Sequence, residues 1–244
     1  MKLHTHGLTD TGLLRPQNED AYLIDRDRGL CAVADGLGGL PGGALASRRS
    51  LELLVELIDG RRDRGEPIAL EQVVMEISET VRAEGWAAHP LTGMATTLTA
   101  GCLEGDALRL AHAGDSAAYL ERDGALAKLT VDHTMEQELL EKHGPNAKRG
   151  MPAHFPHTLT RCVGQNETLD VDIAVHPLRD ADRLLWCTDG VTKVLPDATI
   201  AEILQGEPSP ESVSERLRAA AYERGAPDNI ALVVAFAETD SSET

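Results

Sequence analysis

With 40 acidic against 23 basic side chains in 244 residues, the chain carries a formal charge of −17, a field that repels nucleic acid and anionic lipid and argues against either as main partner. Hydrophobic residues at 42% and charged residues at 26% describe a folded rather than a disordered protein, and only 3% aromatics leaves the core to Leu, Val, Ile and Ala. The opening MKLHTHGLTDTGLL lacks the pattern of a secretory signal, no apolar run reaches the ~18 residues of a membrane span, and the four scattered cysteines form no CxxC pair, so free thiols in a reducing cytoplasm are expected.

Short runs rich in Leu, Ile, Val, Ala and Tyr predict strands over 3–9, 21–25 and 30–34. A helix is expected over 44–59, where Arg48, Arg49, Glu52, Glu56 and Asp59 make a polar stripe opposite Leu51, Leu54, Val55 and Ile58. A second covers 70–82. Between Thr96 and Leu129 the apolar runs break at Glu104-Gly105-Asp106 and Arg122-Asp123-Gly124, which read as hairpin turns and imply antiparallel sheet. Residues 135–142 read as helix, and 143–157, with three prolines and two glycines, as an irregular surface loop. Strands follow over 169–175 and 183–187. Ser209-Pro210 pairs an N-cap with proline at the first helical position, opening a helix that stops at Gly225. Residues 230–236 make the last strand and 238–244 a polar tail. Neither repeat nor linker divides the chain, so one domain is expected over 1–237, with a flap at about 135–157.

The stretch CAVADGLGGLPGGALAS raises the functional question, because an apolar strand stops at Asp35-Gly36 with Gly38, Gly39, Gly42 and Gly43 still to come before the helix. Asp115 in LRLAHAGDS, Asp189 in RLLWCTDG and Asp228 in APDNIALVV have the same placement at a strand edge. A single Asp-Gly is a turn signal. Several strand-edge aspartates in one domain are a charge problem, because neighbouring strands would crowd unpaired carboxylates onto one rim. Cations relieve that repulsion, and an all-oxygen donor set without His or Cys at metal spacing favours Mg²⁺ or Mn²⁺. Gly36, lacking a side chain, lets its carbonyl come close to a metal and lets the chain turn sharply. RPQNEDAY adds Glu19, Asp20 and Arg15, a residue suited to gripping phosphate by two parallel hydrogen bonds. Metals beside an arginine point to phosphoryl hydrolysis, in which two ions share and activate a water.

In chain order, RPQNED, VADGLGG, GMATTL, AGDS, DHT, LTRCVG, CTDG and PDNIALVV resemble the signature blocks of the metal-dependent protein phosphatases, the type 2C serine/threonine phosphatases of bacterial type. The resemblance implies an α+β fold, a four-layer α-β-β-α sandwich of two antiparallel sheets flanked by helices. It implies two Mn²⁺ or Mg²⁺ ions, with a third, weaker position. Asp35 would bridge the two ions, Asp189 and Asp228 would complete the first, and the Gly36 carbonyl would help hold the second. Glu19 and Asp20 would act mostly through metal-bound waters, Asp115 with Asp189 would mark the third position, and Arg15 would bind phosphate. The nucleophile would be the bridging water, with no phosphoenzyme.

Two positions depart from the family. Leu37 stands where many eukaryotic members carry a histidine proposed as general acid, which leaves protonation of the leaving group to a metal-bound water. Ala117 stands where the family usually has arginine, which touches local packing or substrate grip more than chemistry. Elsewhere, Thr96 and Thr97 read as hydrogen-bond supports, since no paired base accompanies them. His154 and His157 read as solvent-facing loop residues, and Arg161 as either a structural anchor or a shaper of the flap. The implied activity is hydrolysis of phosphoserine and phosphothreonine on protein substrates, opposing a Ser/Thr kinase, by a cytoplasmic monomer. The alternatives are a catalytically weak phosphoprotein-binding regulatory module and a phosphatase of small phosphoesters.

Overall fold

Apolar runs closed off by turn residues make ten strands among the described residues, which are 1–38, 42–148 and 150–239 of a computed structural model. One antiparallel sheet holds, in spatial order, β1 (Lys2–Asp10), β10 (Ile230–Glu238), β9 (Arg183–Cys187), β6 (Ala117–Arg122) and β7 (Ala125–Lys128). The other holds β2 (Asp20–Asp25), β3 (Leu30–Asp35), β4 (Leu98–Glu104), β5 (Ala107–Ala113) and β8 (Asp172–Pro177). Every pairing is antiparallel, as the hairpin turns imply.

The period-two alternation of side chains then sorts the core into layers. On β3, Ala32 and Ala34 face the helices α1 (Gly43–Asp63) and α2 (Leu70–Ala88), whereas Cys31 and Val33 face the other sheet. On β10, Leu232 and Val234 pack with α4 (Asp189–Thr192), α5 (Asp197–Gly206) and α6 (Pro210–Glu223), and Val233 and Ala235 point inward. The result is the expected α-β-β-α sandwich. Trp186 fills the space between the sheets beside Leu108, Leu110 and Val233. It fits because Gly101 opposite has no side chain; a Cβ there would stand 2.6 Å from the indole.

Several boundaries differ from the sequence expectation. Helix α1 continues through Gly60 to Asp63, with Arg61 and Arg62 in its last turn where they oppose the helix dipole favourably, and α2 runs on to Ala88. Strand β8 begins at Asp172 rather than 169, because Leu169 and Val171 turn into the α1–α2 core layer as loop residues. The short helices α4 and α5 were not anticipated, although Ile200, Ile203 and Leu204 carry helical spacing. Within the flap, α3 (Met135–His143) is capped by the Thr134 hydroxyl, which accepts from the Gln137 N–H at 3.2 Å, and 3-10 turns follow at Pro145–Lys148 and Phe155–His157. Ser209 caps α6 as read, accepting from the Ser212 N–H at 3.1 Å. Strand β10 takes in Glu238, one residue of the segment read as tail; Gly39, Arg149 of the flap and 240–244 of the tail lie outside the described residues. All four cysteines are free. Among the described residues no helix is long and apolar enough to cross a membrane.

Replacing the inter-sheet indole tests this packing. Trp186→Ala is expected to lose about 3–5 kcal/mol in urea unfolding. Trp186→Phe should lose clearly less, because the indole N–H is buried without a hydrogen-bond partner and disappears with the substitution. Equal losses would contradict this view of the core.

Candidate metal centre

Antiparallel pairing brings the starts of β2, β4, β6 and β10 and the ends of β3, β5 and β9 to one rim of the sandwich, and the strand-edge carboxylates arrive there together. Asp20 and Asp35 are directly paired across β2 and β3. Asp35, Asp115 and Asp189 each bring a carboxylate oxygen within 4.8 Å of the others, with Asp189 buried and the other two half-buried. Asp228 joins the cluster through Lys193, whose ammonium bonds Asp228 at 3.0 Å and also contacts Asp189. One oxygen of Asp189, Oδ1, is buried without any hydrogen-bond partner.

Backbone and hydroxyl hydrogen bonds fix the segments that carry these carboxylates. The Asp35 N–H donates to the Thr97 hydroxyl at 2.9 Å, the Thr96 hydroxyl donates to the Asp35 carbonyl at 2.8 Å, and Thr97 and Ser116 share a hydroxyl bond of 2.7 Å. The two threonines therefore act as the supports expected. The Thr188 hydroxyl donates to Asp20 at 2.7 Å and ties one sheet to the other. Asn229 anchors the N-terminal loop, giving its amide N–H to the carbonyls of Thr11 (2.8 Å) and Gln17 (3.0 Å) and accepting from the Glu19 N–H (2.9 Å). The turn before Asp115 is clasped by His133, whose N–H donates to the Gly114 carbonyl at 2.8 Å while its ring Nδ1 lies 3.2 Å from the Gly114 N–H. Arg161 joins His133 to Asp170 and Asp172, an anchoring role at the base of the flap.

The glycines at this rim serve close approach. A Cβ on Gly36 would lie 2.3 Å from the Gly43 carbonyl oxygen, so the end of β3 and the start of α1 can meet only if residue 36 is glycine. A Cβ on Gly190 would lie 1.9 Å from the Asn229 carbonyl oxygen. Glu19 stands at the same junction, its carboxylate 2.9 Å from where a Gly43 Cβ would be. Leu37 gives its N–H to the Ala95 carbonyl at 3.0 Å, and Ala117 is fully buried in the apolar layer against the helices. His154 and His157 are exposed, as expected, and His157 lines a cleft of about 320 Å³ with Asp115, Asp132, Asp189, Lys193 and Asp197.

Arg15 forms a bidentate pair with Asp228, Nε to Oδ1 at 2.8 Å and Nη2 to Oδ2 at 2.9 Å, with its guanidinium partly open to solvent. Sequence reasoning did not single out Lys193, Thr188 or Asn229. The signal for Lys193 was its place one helical turn after Asp189 in CTDGVTK, and for Asn229 its place next to Asp228.

The electrostatics follow from the crowding. Burial, reinforced by Asp189, pushes Asp20 and Asp115 up to about 7, although the Thr188 hydroxyl pulls Asp20 the other way. Burial and the neighbouring carboxylates hold Asp35 well above the ordinary carboxylate value, and burial raises Asp189 against the pull of Lys193. Asp228 lies below it: burial alone would raise it, but Lys193 and Arg15 outweigh that. A hard-oxygen cluster with raised carboxylates and an orphaned buried oxygen is the donor set a divalent ion fits.

A pH dependence follows, with its sign. Groups whose native pKa is raised favour the protonated native state, so without metal they cost stability as pH rises from about 4 to about 7. Metal binding needs the ionised carboxylates. The rise in melting temperature on adding Mn²⁺ should therefore be small near pH 5.5 and several degrees larger near pH 8, read by thermal unfolding at both values with and without EDTA. A rise independent of pH would contradict it.

Residues 16–229 match the family described as Protein phosphatase 2C. The serine/threonine protein phosphatase PstP of Mycobacterium tuberculosis is 34% identical over 227 residues, covering 93% of this chain and 43% of that protein, so this chain spans less than half the length of that relative. The serine/threonine phosphatase stp of Listeria innocua is 28% identical over 242 residues, covering 95% of each chain. A crystal structure of the PstP catalytic domain in complex with two manganese ions has a TM-score of 0.81 at 33% identity, covering 97% of this chain and 99% of that one. With the sandwich, the carboxylate rim and the match over most of its length all in agreement, this chain belongs to the protein phosphatase 2C family.

Proposed function

We propose that the protein is a metal-dependent serine/threonine phosphatase that hydrolyses phosphoserine and phosphothreonine on protein substrates. The observation that carries this reading is the meeting of Asp35, Asp115 and Asp189 within 4.8 Å, flanked by Asp20, Asp228 and an arginine. Asp35, the Gly36 carbonyl, Asp189 and Asp228 would hold two Mn²⁺ or Mg²⁺ ions, Glu19 and Asp20 would act mostly through metal-bound waters, and Asp115 with Asp189 would offer a third position. Such ions supply Lewis acidity and lower the pKa of water for in-line attack on phosphorus.

The remaining work belongs to the side chains. Asp35 and Asp189 fix where charge is concentrated, because their backbones are tied down by Thr97, Thr96 and the first turn of α4. Arg15 is held on Asp228 through Nε and Nη2, which leaves the other N–H groups of its partly solvent-open guanidinium to donate to phosphate oxygens. Leu37 has no proton to give, so no side chain at that position serves the leaving group. Surface loops carry recognition while the sheet carries chemistry, which makes the flap at about 135–157 the part of the single catalytic domain (1–237) that selects substrates. The natural counterpart is a cytoplasmic Ser/Thr kinase, and the protein would act as a monomer.

Phosphate release from a phosphothreonine peptide tests the reading. Turnover with Mn²⁺ should vanish with EDTA and fall at least about 100-fold in Asp35→Asn and Asp189→Asn. No turnover with Mn²⁺, or indifference to EDTA, would leave a phosphoprotein-binding module instead, and faster turnover of sugar phosphates than of the peptide would point to small substrates. Arg15→Lys keeps the charge but loses the fork, and should raise KM about tenfold; an unchanged KM would remove Arg15 from phosphate binding.

A further inference from the structure

Lys193 ends the short turn that begins at Asp189, and that turn folds its side chain back over the carboxylates. Its own N–H donates to the Asp189 carbonyl at 2.7 Å, which fixes where the side chain starts. Its ammonium contacts Asp189 Oδ2 and lies 3.0 Å from Asp228 Oδ2. Asp228 is full: Oδ1 accepts from Arg15 and the Asn229 N–H, and Oδ2 from Arg15 and Lys193. A carboxylate has about four lone-pair sites, so an ion joining Asp228 must take the place of one of these donors. Of the side chains donating to Asp228, Lys193 is the one that also sits on Asp189.

We propose that the Lys193 ammonium is a tethered competitor for the divalent ion at the Asp189–Asp228 edge of the centre. This rests on the reading of those two aspartates as metal ligands. With no ion bound, Lys193 neutralises the pair and spares the rim its self-repulsion. When an ion binds, the ammonium is the donor that gives way, because the lone-pair sites of Asp228 Oδ2 are already taken by Arg15 and Lys193 and the ammonium charge repels an ion arriving beside it. It has somewhere to go: it lines the adjoining cleft of about 320 Å³, where Asp132 and Asp197 offer other carboxylates. The consequence is a chain that keeps its rim intact without metal and binds metal more weakly than its ligand set alone would allow.

Calorimetric titration of Mn²⁺ into EDTA-stripped, dialysed protein tests this, with Lys193→Met, Lys193→Gln and Asp35→Asn beside the wild type. Both Lys193 variants should bind Mn²⁺ about tenfold more tightly, the factor expected from removing one charge-assisted contact. Stripped of metal, both should melt below the wild type, and saturating Mn²⁺ should close the gap. Unchanged or weaker Mn²⁺ binding in the Lys193 variants, with binding lost in Asp35→Asn, would overturn the competition alone. Binding that survives Asp35→Asn unaltered would overturn the metal centre, and the competition with it.

Discussion

Mutual repulsion among carboxylates gathered on one rim is the constraint around which this molecule is arranged. Like charges a few ångströms apart in a partly dry cleft are costly, and the chain places Asp20, Asp35, Asp115, Asp189 and Asp228 there together. Protonation offsets part of that cost, as the raised pKa of Asp20 and Asp115 records. Arg15 and Lys193 offset another part at Asp228. Neither gives Asp189 Oδ1 a partner. Divalent ions would answer both the repulsion and the unpartnered oxygen, and such ions beside an arginine suit the hydrolysis of phosphoesters.

Holding repelling groups in place requires a stiff frame, and the sandwich provides one. Thr188 donates to Asp20 across the two sheets, while its own N–H and hydroxyl are locked to the backbone of Ala231. Thr97 and Ser116 brace Asp35 from below, and His133 clasps the turn that leads into Asp115. Gly36 and Gly190 let neighbouring backbones approach to distances that any side chain would forbid. These contacts involve backbone groups and short side chains, which lose little conformational freedom when ordered. Site geometry is thereby fixed by the same hydrogen bonds that join the layers.

Much of this was legible in the sequence because it rests on local pattern. The short apolar runs at 30–34 and 230–236, the hairpin turns at Gly105 and Gly124, and the Ser209-Pro210 helix start each carry their own signal, and the strands and helix are where those signals put them. The strand-edge aspartates were visible for the same reason. What a linear reading could not supply was depth and partnership. Leu169 and Val171 look like strand residues because they are apolar, but they are buried in a loop. Lys193 reads as a surface lysine until α4 turns it onto Asp189. Arg15 reads as a free phosphate ligand, and its bidentate hold on Asp228 emerges only when the N-terminal loop is tied down by Asn229, more than two hundred residues away in the chain.

On the proposed reading, these carboxylates form a metal centre. Anomalous diffraction at the manganese absorption edge, on crystals grown with Mn²⁺, tests it most directly. Peaks are expected between Asp35, the Gly36 carbonyl, Asp189 and Asp228, spaced about 3.5–4 Å apart as in two-metal sites, with the Lys193 ammonium drawn away from Asp189. Manganese bound elsewhere, or a rim with no anomalous signal at saturating Mn²⁺, would contradict it.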